Sequence, residues 1–339
     1  MLFRRYIAVF LVFLVCFGGG SSASAVALQA TDDDPYLQCA NAYQILTGSV
    51  EGSAEEALAT LLTHAEADFI TAQCMLGTLY DFGESVPQSA EEAEKWLKRA
   101  ADSGHPMGLY FLGHLYARGA STPTDYETAL QLYLSAAQMG YPPAQFDAGN
   151  LYLEGKGTEA SLTEALYWYE AAAEQGYSDA QVNLGVQLLE NPLCLDQKKA
   201  LEWFMAAAEQ GDANGLHNVG YCYYKGYGTE QSYTEAMKWL LSAAELGHSY
   251  SPLYIGDMYY FGDGAPQDFA EAFRWYGTAA ERGDPEAQLR LALLYEYGIG
   301  TEQNLDLAFQ WYTAANEQGY YSNWQTTQVF LYEAKTNGY

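Results

Sequence analysis

From Ala72 to Tyr321, apolar and small residues recur at helical spacing in blocks of about 36 residues. Ala144 to Asp179 is a representative block. Ala144, Ala148, Gly149, Leu151 and Tyr152 share one face of a first helix, A, which Gly155 and Gly157 end. Trp168, Tyr169, Ala172 and Ala173 mark a second helix, B, which Gly176 stops. Gly77, Gly113, Gly149, Gly185, Gly220 and Gly256, spaced 36, 36, 36, 35 and 36 residues apart, all fall in the middle of helix A. A mid-helix glycine costs up to about 1 kcal/mol against alanine. Its return in six units implies a second helix lying against that backbone, with no room for a Cβ.

Helix B has its own signals. Ser89, Asp125, Ser161, Asp196, Ser232, Asp268 and Asn304 occupy one slot, and all are good N-caps. Glu92, Glu164, Glu235 and Glu271 stand three residues later, where a capping box is expected, in the favourable field of the helix N-terminus. Trp96, Trp168, Trp203, Trp239, Trp275 and Trp311, with Leu132 in the vacant slot, read as core. Paired alanines such as Ala136–Ala137 and Ala172–Ala173 let the next helix approach closely.

A fixed period of this kind predicts an all-α solenoid, a right-handed α/α superhelix in which each unit stacks on its neighbours. Residues 71–321 form seven repeats. Residues 26–70 are expected to be an N-terminal capping segment with a degenerate repeat, helical over Ala54 to Ala67. Residues 322–339 are expected to add a capping helix through Trp324, Val329, Phe330 and Tyr332, because end units otherwise expose an apolar face.

Residues 1–25 change the picture of where the chain works. Arg4 and Arg5 precede a 12-residue apolar run, Tyr6 to Phe17, and Ala23 and Ala25 suit a cleavage site. This reads as a secretory signal peptide, with an uncleaved anchor as the competing reading; the run is short for a membrane span. Removing it takes away two arginines and no acid, so the formal net charge goes from −28 to −30. That excludes nucleic acid as the natural partner, disfavours an anionic membrane surface, and favours a basic polypeptide. Repeating acids at helix N-termini account for much of this charge. Cys16 leaves with the signal; Cys39, Cys74, Cys194 and Cys222 remain. An even count in an exported chain suggests disulfides, with Cys39–Cys74 and Cys194–Cys222 favoured because each joins neighbouring units. The alternative for Cys194 is an unpaired, buried cysteine.

The pattern A-x-x-x-L-G-x-x-Y, then G-x-G, then A-x-x-W-Y-x-x-A-A-x-x-G, resembles the Sel-one-like repeat, a relative of the tetratricopeptide repeat with longer units. Ala180 to Gly185, Gly298 to Gly300, and Trp311-Tyr312 with Ala314-Ala315 carry it. Repeat two departs with Leu132, repeat seven with Ala292, and repeat four by lacking both loop glycines. The resemblance implies a non-enzymatic adaptor, monomeric and without cofactor or metal, working by protein binding in envelope signalling, assembly or host contact. Together with the signal peptide, it leads to the expectation of a periplasmic or secreted location in a Gram-negative bacterium. Alternatives are a cell-wall or β-lactam ligand-binding or hydrolysing protein, and a glycan-binding module. No P-loop, G-x-S-x-G, H-E-x-x-H or dinucleotide fingerprint is present. His64, His105 and His248 read as surface residues near turns, and His114 and His217 lie on A helices.

Function is then expected where residues vary against a constant framework. The fourth slot of each unit reads Met75, Phe111, Asp147, Asn183, Asn218, Tyr254 and Arg290. The seventh reads Thr78, His114, Asn150, Val186, Tyr221, Asp257 and Leu293. In related superhelices the A helices line the concave face, so these slots predict a groove; the competing reading is a solvated face free to vary. Asn150, Asn183, Asn218, Tyr221, Tyr254, Asp257 and His114 are the candidate partner-binding residues, with Tyr224 and Tyr260 beside them. Asparagine donates and accepts at once, which suits a peptide backbone. By the resemblance, Asn183 and Asn218 match the asparagine that clamps ligand backbones in tetratricopeptide proteins.

Overall fold

The computed structural model describes residues 34–119 and 122–321. The proposed signal peptide, Cys16 and the proposed C-terminal capping helix lie outside the described residues. Sixteen helices and no strand are present among the described residues. A leading pair, α1 (Pro35–Leu46) and α2 (Ala54–Glu66), precedes α3 (Ile70–Phe82), α4 (Ala90–Asp102), α5 (Pro106–Arg118), α6 (Tyr126–Gln138), α7 (Pro142–Glu154) and α8 (Leu162–Ala173). Then come α9 (Ser178–Glu190), α10 (Gln197–Glu209), α11 (Ala213–Lys225), α12 (Tyr233–Glu245), α13 (Ser251–Phe261), α14 (Phe269–Glu281), α15 (Pro285–Tyr297) and α16 (Leu305–Glu317). Odd-numbered helices from α3 are A helices and even-numbered ones are B helices. Each packs on the next in sequence within its unit, giving an all-α solenoid. The helices fall into two compact units that divide after Ala172. No helix among the described residues is long and apolar enough to cross a membrane.

All seven proposed N-caps are made. Asp125 accepts from Thr128 N at 3.0 Å, Ser161 from Glu164 N at 3.3 Å, and Asn304 from Leu307 N at 3.0 Å. Ser89, Asp196, Ser232 and Asp268 do the same. The reciprocal half of the expected capping box is replaced by another bond. Each N-cap amide instead donates to a carbonyl of the preceding A helix, as in Ser161 N to Tyr152 O at 2.8 Å and Asp268 N to Tyr259 O at 2.9 Å. With that donor used, Glu92, Glu235 and Glu271 pair with Lys95, Lys238 and Arg274 one turn on.

The mid-helix glycines behave as expected. A Cβ on Gly149 would lie 2.7 Å from the Tyr169 ring, on Gly185 2.5 Å from Phe204, and on Gly256 2.6 Å from Tyr276. The B helix thus inserts the ring that follows its tryptophan against the A backbone. Tyr169, Phe204 and Tyr276 are wholly buried there. At about 25 cal/mol per Å² of apolar surface, such a ring stabilises by a few kcal/mol, more than the helical glycine costs. Loop glycines such as Gly155 and Gly298 cap the A helices at positive φ, 67° and 69°. Units are clamped to their predecessors by a recurrent glutamine. Gln73, Gln145, Gln181 and Gln288 donate to the carbonyls of Ala65, Ala137, Ala173 and Ala280 at 3.0, 3.1, 3.1 and 3.3 Å. The tryptophans are only partly core: Trp96 and Trp168 are buried, but Trp203, Trp239, Trp275 and Trp311 are half-buried.

The expected disulfides are corrected. Cys39, Cys74, Cys194 and Cys222 are all free thiols. Cys39 packs in the apolar cluster of α1 to α4, whereas Cys74 packs in the next one, so the pair is divided between two cores. Cys194 is held in the loop after α9, where its thiol donates to Gln187 O at 3.3 Å. Burial pushes the Cys39 and Cys222 thiols up to about 12, and raises Cys74 and Cys194 as well.

Two outcomes follow. Replacing Gly185 with valine should cost about 1–3 kcal/mol through overpacking against Phe204, read by chemical denaturation; an unchanged midpoint would refute the close-approach argument. Among the four cysteines of the described residues, iodoacetamide should label Cys194 first in native protein. Cys39, Cys74 and Cys222 should react only on unfolding, because their thiolates are suppressed and shielded; peptide mapping reads the order.

Candidate functional site

The two variable slots of the A helices are not uniformly free of packing. Met75 and Phe111, in the fourth slot, are buried, as are Thr78 and Leu293 in the seventh. Asn150 belongs to a chain of internal bonds. Tyr169 Oη donates to its Oδ1 at 2.6 Å, its Nδ2 donates to Asp147 Oδ1 at 3.2 Å, and Tyr110 Oη donates to Asp147 Oδ2 at 3.1 Å. Asp257 is buried too: it accepts from Tyr276 Oη at 2.7 Å and pairs with Arg290, which also holds Glu286.

A matching rule explains the seventh slot. In repeats three and six, where helix B presents Tyr169 and Tyr276 to the glycine, the seventh residue, Asn150 or Asp257, accepts from the tyrosine hydroxyl. Where helix B presents Phe204 or Leu240, the seventh residue is Val186 or Tyr221 and no such acceptor is needed. Asn150 and Asp257 are therefore used by the fold, and the expectation that their slots are spare does not hold for them. Tyr260 is wholly buried, packed against Phe261, Phe269 and Tyr276. His114 is half-buried beside Tyr110, its imidazole lowered to about 4 by burial and then by Arg118.

What stays half-exposed on the A helices of the second unit is Asn183 and Val186 on α9, Asn218 and Tyr221 on α11, and Tyr254 on α13. Around the last two the structure builds a connected aromatic surface. Tyr221 and Tyr254 have ring centroids 5.5 Å apart, Tyr224 and Tyr254 5.7 Å, and Tyr221 and Tyr227 5.9 Å. Lys225 Nζ sits 5.0 Å from the Tyr224 ring and 5.9 Å from Tyr221. Burial pushes the Tyr254 phenol up to about 12, so the hydroxyls of this surface stay protonated and can donate.

Two histidines complete the surface, and sequence reasoning missed them as a pair. His217 on α11 and His248 before α13 stack with centroids 4.1 Å apart and planes 22° apart, and His217 lies 5.6 Å from Tyr254. Ser251 joins them: its Oγ is 3.0 Å from His217 Nδ1 and 2.9 Å from His248 Nδ1, and its backbone N–H donates to His248 Nδ1 at 3.2 Å. That amide makes His248 Nδ1 an acceptor. One hydroxyl proton then serves the pair only if Ser251 donates to His248 and accepts from His217 Nδ1–H. Their separation of 31 residues, nearly one repeat, was the signal that could have found them. A serine between histidines suggests a nucleophile, but Ser251 is 0% exposed, so a substrate could not reach its hydroxyl. The surface offers flat rings, amide donors and acceptors, and two cations at its edge, Lys225 and Arg282. No group of three or more metal-ligating side chains occurs among the described residues.

Burial lowers His217 to about 3, helped by the neighbouring His248, and burial with Arg282 lowers His248 to about 4. Both imidazoles stay neutral in the folded protein while the unfolded chain takes up protons near their ordinary value of about 6.5. The unfolded state therefore binds more protons below that pH, and stability falls from about pH 6.5 down to 3–4. The melting midpoint should drop over that window, and His217→Gln with His248→Gln should flatten the drop. An unchanged pH slope in the double variant would refute the buried-pair reading.

Seven Sel1 repeats match the chain over residues 70–105, 106–141, 142–177, 178–212, 213–248, 253–284 and 285–320. The structure of c5321, a protective antigen of uropathogenic Escherichia coli strains with an SLR fold, is similar. It shows a TM-score of 0.68 and 30% identity over 83% of this chain and 64% of that one. The chain thus spans under two thirds of that relative. A Sel1 repeat protein from Oxalobacter formigenes gives a TM-score of 0.63 and 29% identity over 72% of this chain and 96% of that one. No curated protein matches the chain.

Proposed function

The chain belongs to the Sel1 repeat family, whose members are in general scaffolds for protein–protein interaction, and from that premise we propose that it is an exported, non-catalytic adaptor. It takes a polypeptide segment on the A helices of its second unit. The carrying observation is the half-exposed cluster of Tyr221, Tyr224, Tyr254, His217 and His248 beside Asn183 and Asn218. Most of the other fourth and seventh slots are filled by core or by internal polar bonds. Amphipathic rings give contact area at low entropic cost, and asparagine reads backbone N–H and C=O together.

The formal net charge of −28 favours a basic partner, steered by long-range attraction. Export rests on the apolar run after Arg4 and Arg5, and it is in keeping with the Escherichia coli relative being a protective antigen. A periplasmic or secreted setting follows. The inaccessible Ser251 supports binding over hydrolysis at this site.

A partner recovered from an envelope extract would be titrated against variants by calorimetry. Asn183→Ala with Asn218→Ala should weaken binding by about 1–3 kcal/mol together, as for hydrogen bonds to a ligand lost in a desolvated site. Tyr221→Ala should weaken it further. Unchanged affinity in both variants, with unchanged melting midpoints, would place the interaction on another face.

A further inference from the structure

The glycine Gly277 has no packing reason to be where it is. It lies inside α14, where glycine weakens a helix, yet a Cβ there would meet nothing within 4 Å. The mid-helix glycines of the A helices differ, since each receives a ring or a leucine. The second residue after the tryptophan slot is Lys98, Leu134, Glu170, Met205, Leu241 and Thr313 in the other six repeats. Only repeat six leaves it empty of side chain. A cleft of about 370 Å³ opens at that point, walled by Trp275, Trp311, Phe273 and Tyr295, with Arg274, Thr278 and Glu281 at its rim. Such a volume is in the range of small-ligand sites, roughly 300–1,000 Å³.

The lining selects the ligand class. Trp275 and Trp311 are half-buried, so part of each indole is open to the cleft. Phe273 and Tyr295 pack edge to face at 5.2 Å and 89°, forming a rigid wall. Aromatic faces stack on the C–H faces of pyranose rings, while hydroxyl-binding groups at the edge read orientation. Arg274, paired with Glu271 at 2.6 Å, and Glu281 and Thr278 supply donors and acceptors of both signs. One rim cation against two acids, on a chain of formal net charge −28, disfavours an anionic ligand. We propose that the Gly277 cleft is a binding site for a neutral saccharide, independent of the polypeptide surface on α9, α11 and α13.

The test uses the full chain with the trisaccharide of N-acetylglucosamine and with maltotriose, followed by calorimetry. At least one should bind saturably. Gly277→Leu restores the side chain that other repeats carry, so it should weaken binding at least about tenfold while raising the melting midpoint. The opposed movement of affinity and stability is the signature, because damage to the fold would lower both. Gly277→Ala should give the same signs with smaller size. Absence of binding by both sugars would overturn the proposal. A lowered midpoint in Gly277→Leu would also overturn it, since that means a segment of the chain already fills the cleft. Binding unaffected by Gly277→Leu would place the sugar elsewhere and reject this site.

Discussion

The close approach of each B helix to the backbone of its A helix is the constraint from which the rest of the structure follows. Gly77, Gly113, Gly149, Gly185, Gly220 and Gly256 each face the side chain that the paired B helix buries: Leu97, Tyr133, Tyr169, Phe204, Leu240 and Tyr276. A Cβ would collide with each of them. Repeat seven shows the limit of this rule. It has Ala292 at the slot, and its tyrosine, Tyr312, is only half-buried and donates to Glu296 at 2.6 Å instead of to the seventh residue. The buried rings then dictate their own partners. A tyrosine hydroxyl brought against a helix must be bonded, or its desolvation costs about 1–3 kcal/mol. Asn150 and Asp257 are the answers in repeats three and six.

The same demand for satisfied polar groups organises the junctions. N-cap side chains take amides of the B helix, N-cap amides go to the A helix, and the recurrent glutamines take carbonyls at the end of the preceding B helix. Acidic residues concentrate at these N-termini because the helix field favours them there. Much of the negative charge is thus a by-product of capping, and it acts on partners only through its sum. The fold spends its side chains unevenly. In the first unit the fourth and seventh slots are taken by Met75, Phe111 and Thr78 as core and by Asp147 and Asn150 as internal bonds. In the second, Asp257, Arg290 and Leu293 are likewise engaged. Asn183, Asn218, Tyr221 and Tyr254 stay half-exposed.

That remainder has a distinct chemical character. Its rings pack against one another, and the stacked imidazoles are kept neutral by burial, with Lys225 beside the tyrosines and Arg282 beside His248. The cleft at Gly277, between α14, α15 and α16, is also walled by aromatic rings, with a glycine where the other repeats carry a side chain.

Repeat length, helix pairing, all seven N-caps and the glycine contacts were legible in the chain, because each depends on neighbours a few residues away or on a strict period. Local rules are the same in every unit, so repetition amplifies them above chance. The expected disulfides failed for the opposite reason. An even count and a plausible spacing say nothing of which apolar cluster a thiol enters, and Cys39 and Cys74 enter different ones. The seventh slot looked spare because Asn150 and Asp257 vary among repeats, yet they vary in step with a residue 19 positions later on another helix. His248 looked like a turn residue until α11 and α13 brought it within 4.1 Å of His217. The sequence by itself thus determined the solenoid, since a periodic pattern of small and large residues admits one way of stacking. Only the tertiary structure decided which variable residues are spare, because that depends on what the facing helix needs satisfied.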